Sequence, residues 1–244
     1  MTVPGRPYVK HIRAACPDAS IVTGSGVGRA ELWPITKAAW MAHAPDATHH
    51  VVFQDDILPC LDLLKTIETI IKLLPNAIIC FYTTKRRECF DALSRKTNWL
   101  KLAGMSSCQA CAMPVGALHA FMEWESAYVK ATYLWDRERF ALWQNVTGAI
   151  DTWACVPTLV EHLAPDKSLL GLSNKERVSP LFIGEKVSGL SIDWLATLDR
   201  PYVSGYGNIW GTNGKLMLVP EKYAIAEAEY MARRRKPHEN NRTP

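Results

Sequence analysis

Between Val51 and Tyr82 the chain places two short apolar runs on either side of one amphipathic stretch, and few folds accommodate that order. Val51 to Phe53 has the length and composition of a buried strand. Leu61, Leu64, Ile67, Ile71 and Leu74 recur at helical spacing, which predicts an amphipathic helix ended by Pro75-Asn76. Ala77 to Tyr82 is a second buried-strand candidate. Strand, helix and strand in this order form the pattern of a βαβ unit. The expected fold class is α/β, with a Rossmann-like, mostly parallel central sheet flanked by helices.

Two adjacent carboxylates, Asp55 and Asp56, close the first apolar run, and Pro59 then disfavours ordinary strand pairing. In open α/β sheets, ligands sit beyond the carboxyl ends of the strands. Carboxylates at such an end attract hard divalent cations, which neutralise phosphates. The same pair also suits a solvated turn or the acidic start of a helix. Position therefore makes Asp55 and Asp56 candidates for binding metal and cofactor.

The remaining segments fit around this unit. Pro7 to Cys16 reads as a short helix, and Ser20 to Thr23 as a short strand. The cluster Gly24-Ser-Gly-Val-Gly28 lacks the GK[ST] of a P-loop, and Arg29 stands where a dinucleotide fingerprint needs its third glycine. It reads as a loop whose backbone N–H groups touch phosphate, which makes Gly24 and Gly26 cofactor-binding candidates. Leu32 to His43 reads as helix, and Met105 to Met113 as a third strand. Pro114 opens a helix expected to run to about Tyr133. A further helix starts at Asp136, with Asp136 at its cap and Glu138 in its first turn. Asp151 to Val156 is a short strand, followed directly by Pro157 to His162. Lys85-Arg86-Arg87 follows the second strand and is a candidate for phosphate or acceptor contact.

Composition narrows the setting. A chain of 244 residues, 48% hydrophobic and 21% charged, has ordinary globular composition and length for one large core or two small ones. The formal charge of +4 suits an acidic partner without demanding one. No stretch approaches the ~18 apolar residues of a membrane span. Pro4, Gly5 and Pro7 interrupt the start, where a signal peptide would have an apolar core. The seven scattered cysteines therefore read as reduced intracellular thiols. Cys108 and Cys111 form a lone CxxC without the second ligand pair of a structural zinc site. The expected organisation is a catalytic domain over residues 1–183, an extension over 184–236 packed on it, and a polar tail over 237–244.

Three places carry chemistry: Asp55-Asp56, Asp136 to Glu138, and Glu161-His162. A histidine added to carboxylates moves the metal preference from magnesium toward manganese. The segment from His49 to Cys60, HHVVFQDDILPC, resembles the metal-binding strand of GT-A-fold glycosyltransferases, in the version where the DXD signature appears as adjacent aspartates. The segment from Val156 to Gly171 resembles the distal "PsLVeH…S" box of small bacteriophage-type glycosyltransferases. The acidic segment Asp136 to Trp143 is similar to the one that precedes that box.

The resemblance spans roughly Trp33 to Ile183 and implies a nucleotide-sugar donor, usually a UDP-sugar, with bound Mn²⁺ or Mg²⁺. It further implies that Asp56 is the prime metal and diphosphate ligand, with Asp55 beside it and His162 as the distal metal ligand. Asp136 is then the expected general base, with Glu138 as its alternative. GT-A folds usually open with a strand and a nucleotide-binding loop; here either the uridine pocket is built differently or Ser20 to Gly28 takes part of that role. Hydroxymethylated DNA bases and virion proteins are the acceptors such enzymes suggest. The expected location is cytoplasmic, the host cytoplasm if the chain is phage-encoded. Nucleotidyl or phosphoryl transfer, and a non-catalytic nucleic-acid-binding or virion-associated role, stay open beside it.

Overall fold

The structure, a computed structural model, describes residues 9–24, 29–105, 107–129, 136–163 and 177–204, with backbone alone for 29–31. Helices α1 (Val9–Ala15) and α2 (Arg29–Met41) precede strand β1 (His49–Phe53). Then come β2 (Ile57–Pro59), α3 (Leu63–Leu73), β3 (Ala77–Cys80), α4 (Arg86–Ser94) and β4 (Trp99–Leu102). The chain continues through β5 (Ala110–Pro114), α5 (Val115–Tyr128), α6 (Asp136–Thr147), β6 (Asp151–Cys155), β7 (Val160–His162) and β8 (Tyr202–Val203).

Six strands form an open sheet in the order β1-β5-β3-β6-β4-β8, and β2 pairs with β7 in a separate ribbon. The sheet is mixed. β3–β6 and β4–β8 are parallel, whereas β1–β5, β3–β5 and β4–β6 are antiparallel. The expected strand–helix–strand unit is present as β1, α3 and β3, but β5 lies between its two strands. β1, β3 and β6 still point the same way, so their carboxyl ends share one rim.

Strand alternation divides the core between the two faces. Ile78 and Cys80 join Trp33, Trp40, Phe121, Phe140 and Trp143 on the face covered by α2, α5 and α6. Ile79 and Phe81 join Ile12, Leu63, Ile67 and Ile70 on the face covered by α1 and α3. All four β3 residues are buried, which explains why that strand reads as a continuous apolar run. The layer over the first face is strongly aromatic: Phe121 and Phe140 stack with ring centres 4.0 Å apart.

Several expectations are corrected. Ser20 to Thr23 forms no strand, only a single bridge at Thr23, because Ser20 to Val22 instead wall a cavity beside β1. The strand expected over Met105 to Met113 begins only at Ala110, because Ser107 and Gln109 bend the chain through a mutual side-chain hydrogen bond. Lys85-Arg86-Arg87 opens α4, an element that its weak apolar pattern concealed: Glu88, Cys89 and Ala92 are its buried residues. His49 and His50 belong to β1 and are half-buried, with Nε2 atoms on the carbonyls of Pro75 and Ala39 at 2.9 and 2.8 Å. Pro59 sits inside β2, opposite Val160, where the ribbon has a free edge that tolerates a missing N–H. Gly26, Tyr133 and the 237–244 tail lie outside the described residues. Among the described residues, no helix is long and apolar enough to cross a membrane.

Residues 184–204 pack on the same core. Trp194 lies against Trp99 with ring centres 5.2 Å apart, and β8 extends the sheet at β4. The 3-10 turn Gly189–Ser191 rests on α3, and a Cβ at Gly189 would fall 2.6 Å from Thr66 Oγ1. Thr66 is buried, and its hydroxyl donates to the Asp62 carbonyl at 2.9 Å, so it yields only at a cost. Gly189→Ala is expected to destabilise the protein by ~1–3 kcal/mol, as overpacking does. Thermal melting checks this, and an unchanged Tm would mean that Thr66 swings aside freely.

Candidate active site

The turn Asp55-Asp56 leaves the carboxyl end of β1, and both side chains are buried there. The β2–β7 ribbon then sets what faces Asp56. Ile57 pairs with His162, and the Leu163 N–H donates to the Asp56 carbonyl at 2.7 Å. This register brings His162 Nε2 to 3.2 Å from Asp56 Oδ2. The imidazole side chain is 0% exposed, yet neither of its ring nitrogens makes a hydrogen bond. The contact is thus at ion-pair distance but off hydrogen-bond alignment. A buried polar atom left unsatisfied costs ~1–3 kcal/mol, so such an imidazole is expensive unless something else binds it.

A cation between the two side chains would satisfy both. A carboxylate oxygen and an imidazole nitrogen make a donor set suited to Mn²⁺ or Mg²⁺. Adjacent ligands ~2.1 Å from one octahedral ion lie about 3 Å apart, close to the separation here. Asp56 and His162 fit the group. Among the described residues, no cluster of three or more His, Cys, Asp or Glu is arranged to hold a metal, so these two would share the ion with ligand oxygens or water.

Two further side chains frame the pair. Tyr82, just past β3, is buried against His162 with ring centres 6.3 Å apart, and its hydroxyl donates to the Arg177 carbonyl. Burial pushes its phenol well above the ordinary range, and the Glu161 and Asp56 carboxylates add to this. Tyr82 therefore stays a neutral donor. Glu161 accepts the N–H groups of His162 and Ser179 at 2.7 and 2.8 Å and so holds the end of β7 in place. Burial raises its carboxyl above the usual range. Glu161 belongs to the chemistry-bearing places of the sequence, whereas Tyr82 does not stand out there as part of a site. Tyr82 reads as the apolar end of a strand, and only its place on the rim singles it out.

Asp136 reaches the same rim by another route. The Gln54 N–H donates to the Gln109 carbonyl at 2.8 Å, joining the end of β1 to the bend before β5. Cys108, next in that bend, contacts the Asp136 carboxyl at the start of α6. Asp136 Oδ1 accepts the Arg137 N–H at 2.7 Å. Burial raises the Asp136 carboxyl above its ordinary range, against the lowering effect of Arg137. Glu138, two residues along in the same first turn, is half-buried.

A raised carboxyl favours the protonated folded state. Its contribution to stability is fully present below the unfolded pKa and is lost as pH rises through the folded one. Asp136→Asn is therefore expected to raise the Tm at pH 8, with the gain vanishing near pH 3. Melting curves at both pH values check this. A variant equally destabilised at both would mean that Asp136 is chiefly a structural cap.

A cavity of about 310 Å³ lies beside β1, walled by Ile12, Val22, Val51 and Phe53, with Arg13 and Asp55 on its lining. Gly24 follows this wall and is buried. A Cβ there would fall 1.8 Å from Ile35 Cδ1, so close packing on α2 accounts for the glycine. The described thiols are all free and buried. Cys111 Sγ lies 3.8 Å from Cys80 Sγ and donates to the Ser107 carbonyl, while Cys108 Sγ lies 3.1 Å from Met105 Sδ.

No protein-family model matches the chain, and no curated protein matches it. The rim and the cavity must therefore be interpreted from their own chemistry.

Proposed function

We propose that the protein is a metal-dependent glycosyltransferase with a GT-A-like arrangement, which moves a sugar from a nucleotide-sugar donor, a UDP-sugar in our reading, to a hydroxyl acceptor. One observation carries the proposal: Nε2 of a fully buried, otherwise unbonded His162 lies 3.2 Å from Asp56 Oδ2 on the carboxyl rim of the sheet. The segments that supply these two side chains are also those that resemble the family's metal-binding strand and distal box.

Each residue then has a task. Asp56 and His162 would hold Mn²⁺ or Mg²⁺, with Asp55 beside them. The ion would neutralise the charge that develops on the departing nucleoside diphosphate. The cavity beside Asp55 is the proposed seat of the donor's nucleoside, with Ser20 to Val22 as one wall. Asp136 accepts the acceptor hydroxyl's proton, and the burial that raises its carboxyl makes it a stronger base than a solvated aspartate. Glu138 is the alternative base. Tyr82 and Glu161 fix His162 and the ribbon that carries it. A hydroxymethylated DNA base or a virion protein is the proposed acceptor class.

Incubation with Mn²⁺ and a panel of nucleotide sugars tests this. At least one donor should be slowly hydrolysed, with release of nucleoside diphosphate, and a chelator should stop the reaction. Release of pyrophosphate would mean nucleotidyl transfer instead. Absence of turnover across the panel would leave a binding protein.

A further inference from the structure

The opposite edge of the sheet carries a second cluster of imidazoles. His43 follows the carboxyl end of α2, and His119 lies one turn into α5, which starts directly after β5. His49 and Pro114 are paired at the starting end of β1, so the length of the strand, about 13 Å, separates this edge from Phe53, just before the Asp55-Asp56 turn. The Nε2 atoms of His43 and His119 are 3.0 Å apart. Their rings face each other at a 48° tilt with centres 5.1 Å apart.

Hydrogen bonding fixes the tautomers. His43 Nδ1 lies 2.9 Å from the Ala44 carbonyl, which can only accept, so Nδ1 carries the proton. In the neutral ring, Nε2 of His43 is then a lone pair aimed at His119. An Nδ1–H held by a backbone carbonyl is also the usual support of a metal-ligating imidazole. His50 backs this arrangement with its ring centre 6.0 Å from that of His43, and its Nε2 lies 2.8 Å from the Ala39 carbonyl. Burial holds His50 toward its neutral form.

We propose that His43 and His119 form a two-imidazole site for a borderline divalent transition-metal ion of the Cu²⁺ and Ni²⁺ class. Nitrogens in adjacent positions of a tetragonal ion at ~2.0–2.1 Å lie about 2.9 Å apart, whereas tetrahedral Zn²⁺ would spread them to about 3.4 Å. The hydrogen-bonded spacing of 3.0 Å is close to what the tetragonal case requires. Binding requires His119 to move its proton from Nε2 to Nδ1. His119 is exposed, so water reaches that nitrogen, and both rings stay neutral with no net proton released. The carboxyl end of α2 lies beside His43 and favours positive charge there. The start of α5 opposes it weakly from the His119 side. The ion would clip the α2–β1 connection to α5, with open positions left to water or to a further ligand.

Cu²⁺ titration of the full chain, followed by electron paramagnetic resonance, tests the site. Wild-type protein should give a tetragonal signal split by two imidazole nitrogens. His119→Ala, at an exposed position, should weaken Cu²⁺ binding by more than the roughly 10–100-fold that loss of a group supporting a ligand costs, and should remove the two-nitrogen pattern. The two-nitrogen pattern should persist in His162→Ala, because the rim offers a single imidazole and any Cu²⁺ it takes up gives a different signal. An unchanged spectrum and affinity in His119→Ala would overturn the proposal, as would loss of the two-nitrogen pattern in His162→Ala.

Discussion

Asp56→Asn is expected to reduce metal-dependent turnover of the nucleotide-sugar donor by about a thousandfold, which corresponds to ~4 kcal/mol of lost stabilisation. The substitution keeps the shape of a buried side chain and removes its charge. Asn retains one carbonyl oxygen, a poor ligand for a hard cation, and leaves His162 without its carboxylate partner at 3.2 Å. His162→Ala should cost a comparable factor through the other donor. Loss in kcat, with native melting behaviour and little change in KM, is the pattern expected for a group that acts on the departing diphosphate. Initial rates at saturating Mn²⁺ measure it. Activity within about tenfold of wild type would remove Asp56 from the reaction.

The largest effect on stability is expected at Glu125→Gln. Glu125 and Arg139 form an ion pair between α5 and α6, with exposures of only 5% and 2%. The Arg139 guanidinium also lies over the Trp33 ring, 4.7 Å from its centre. Lys37 reaches the other carboxylate oxygen at 3.0 Å, but its side chain is 38% exposed and water screens it. Removing one charge from a buried pair costs ~3–5 kcal/mol, because the remaining ion stays desolvated. In a chain of this size that lowers the Tm by about 10 °C. Replacing both charges at once, as in Glu125→Gln with Arg139→Met, should recover most of the loss, since an apolar pair of similar volume is often neutral. A drop of under ~1 kcal/mol in the single variant, the range of exposed pairs, would mean that water reaches the pair.

Local patterns carried the parts of the fold that depend on local burial. The run Val51 to Phe53 and the run into β3 form the expected strands, and α3 forms the expected helix, but of Leu61, Leu64, Ile67, Ile71 and Leu74 only Ile67 is buried: the face turned to the core is Leu63, Thr66, Ile67 and Ile70, and Leu61 and Leu64 are exposed. The insertion of β5 between β1 and β3 was not legible, because the pairing of Val52 with Cys111 and of Cys80 with Cys111 joins distant segments of chain. α4 was missed because one narrow face of it is buried. The site divides in the same way. Asp56 and His162 each stand out by residue type and position, yet their meeting depends on the pairing of Ile57 with His162. Asp136 joins the rim only through Cys108 and the bond between Gln54 and Gln109. Gly24 attracted attention as a phosphate loop, but its close approach to Ile35 is a packing feature that sequence cannot distinguish from a ligand contact.

Binding of Mn²⁺ in the presence of UDP, followed by loss of the free-ion paramagnetic resonance signal, is the most direct probe of the rim. The wild-type chain should take up one ion per molecule, UDP should tighten its hold, and Asp56→Asn and His162→Ala should each release it. Equal uptake by all three proteins, or uptake indifferent to UDP, would mean that the buried carboxylate and imidazole meet for some reason other than a cation.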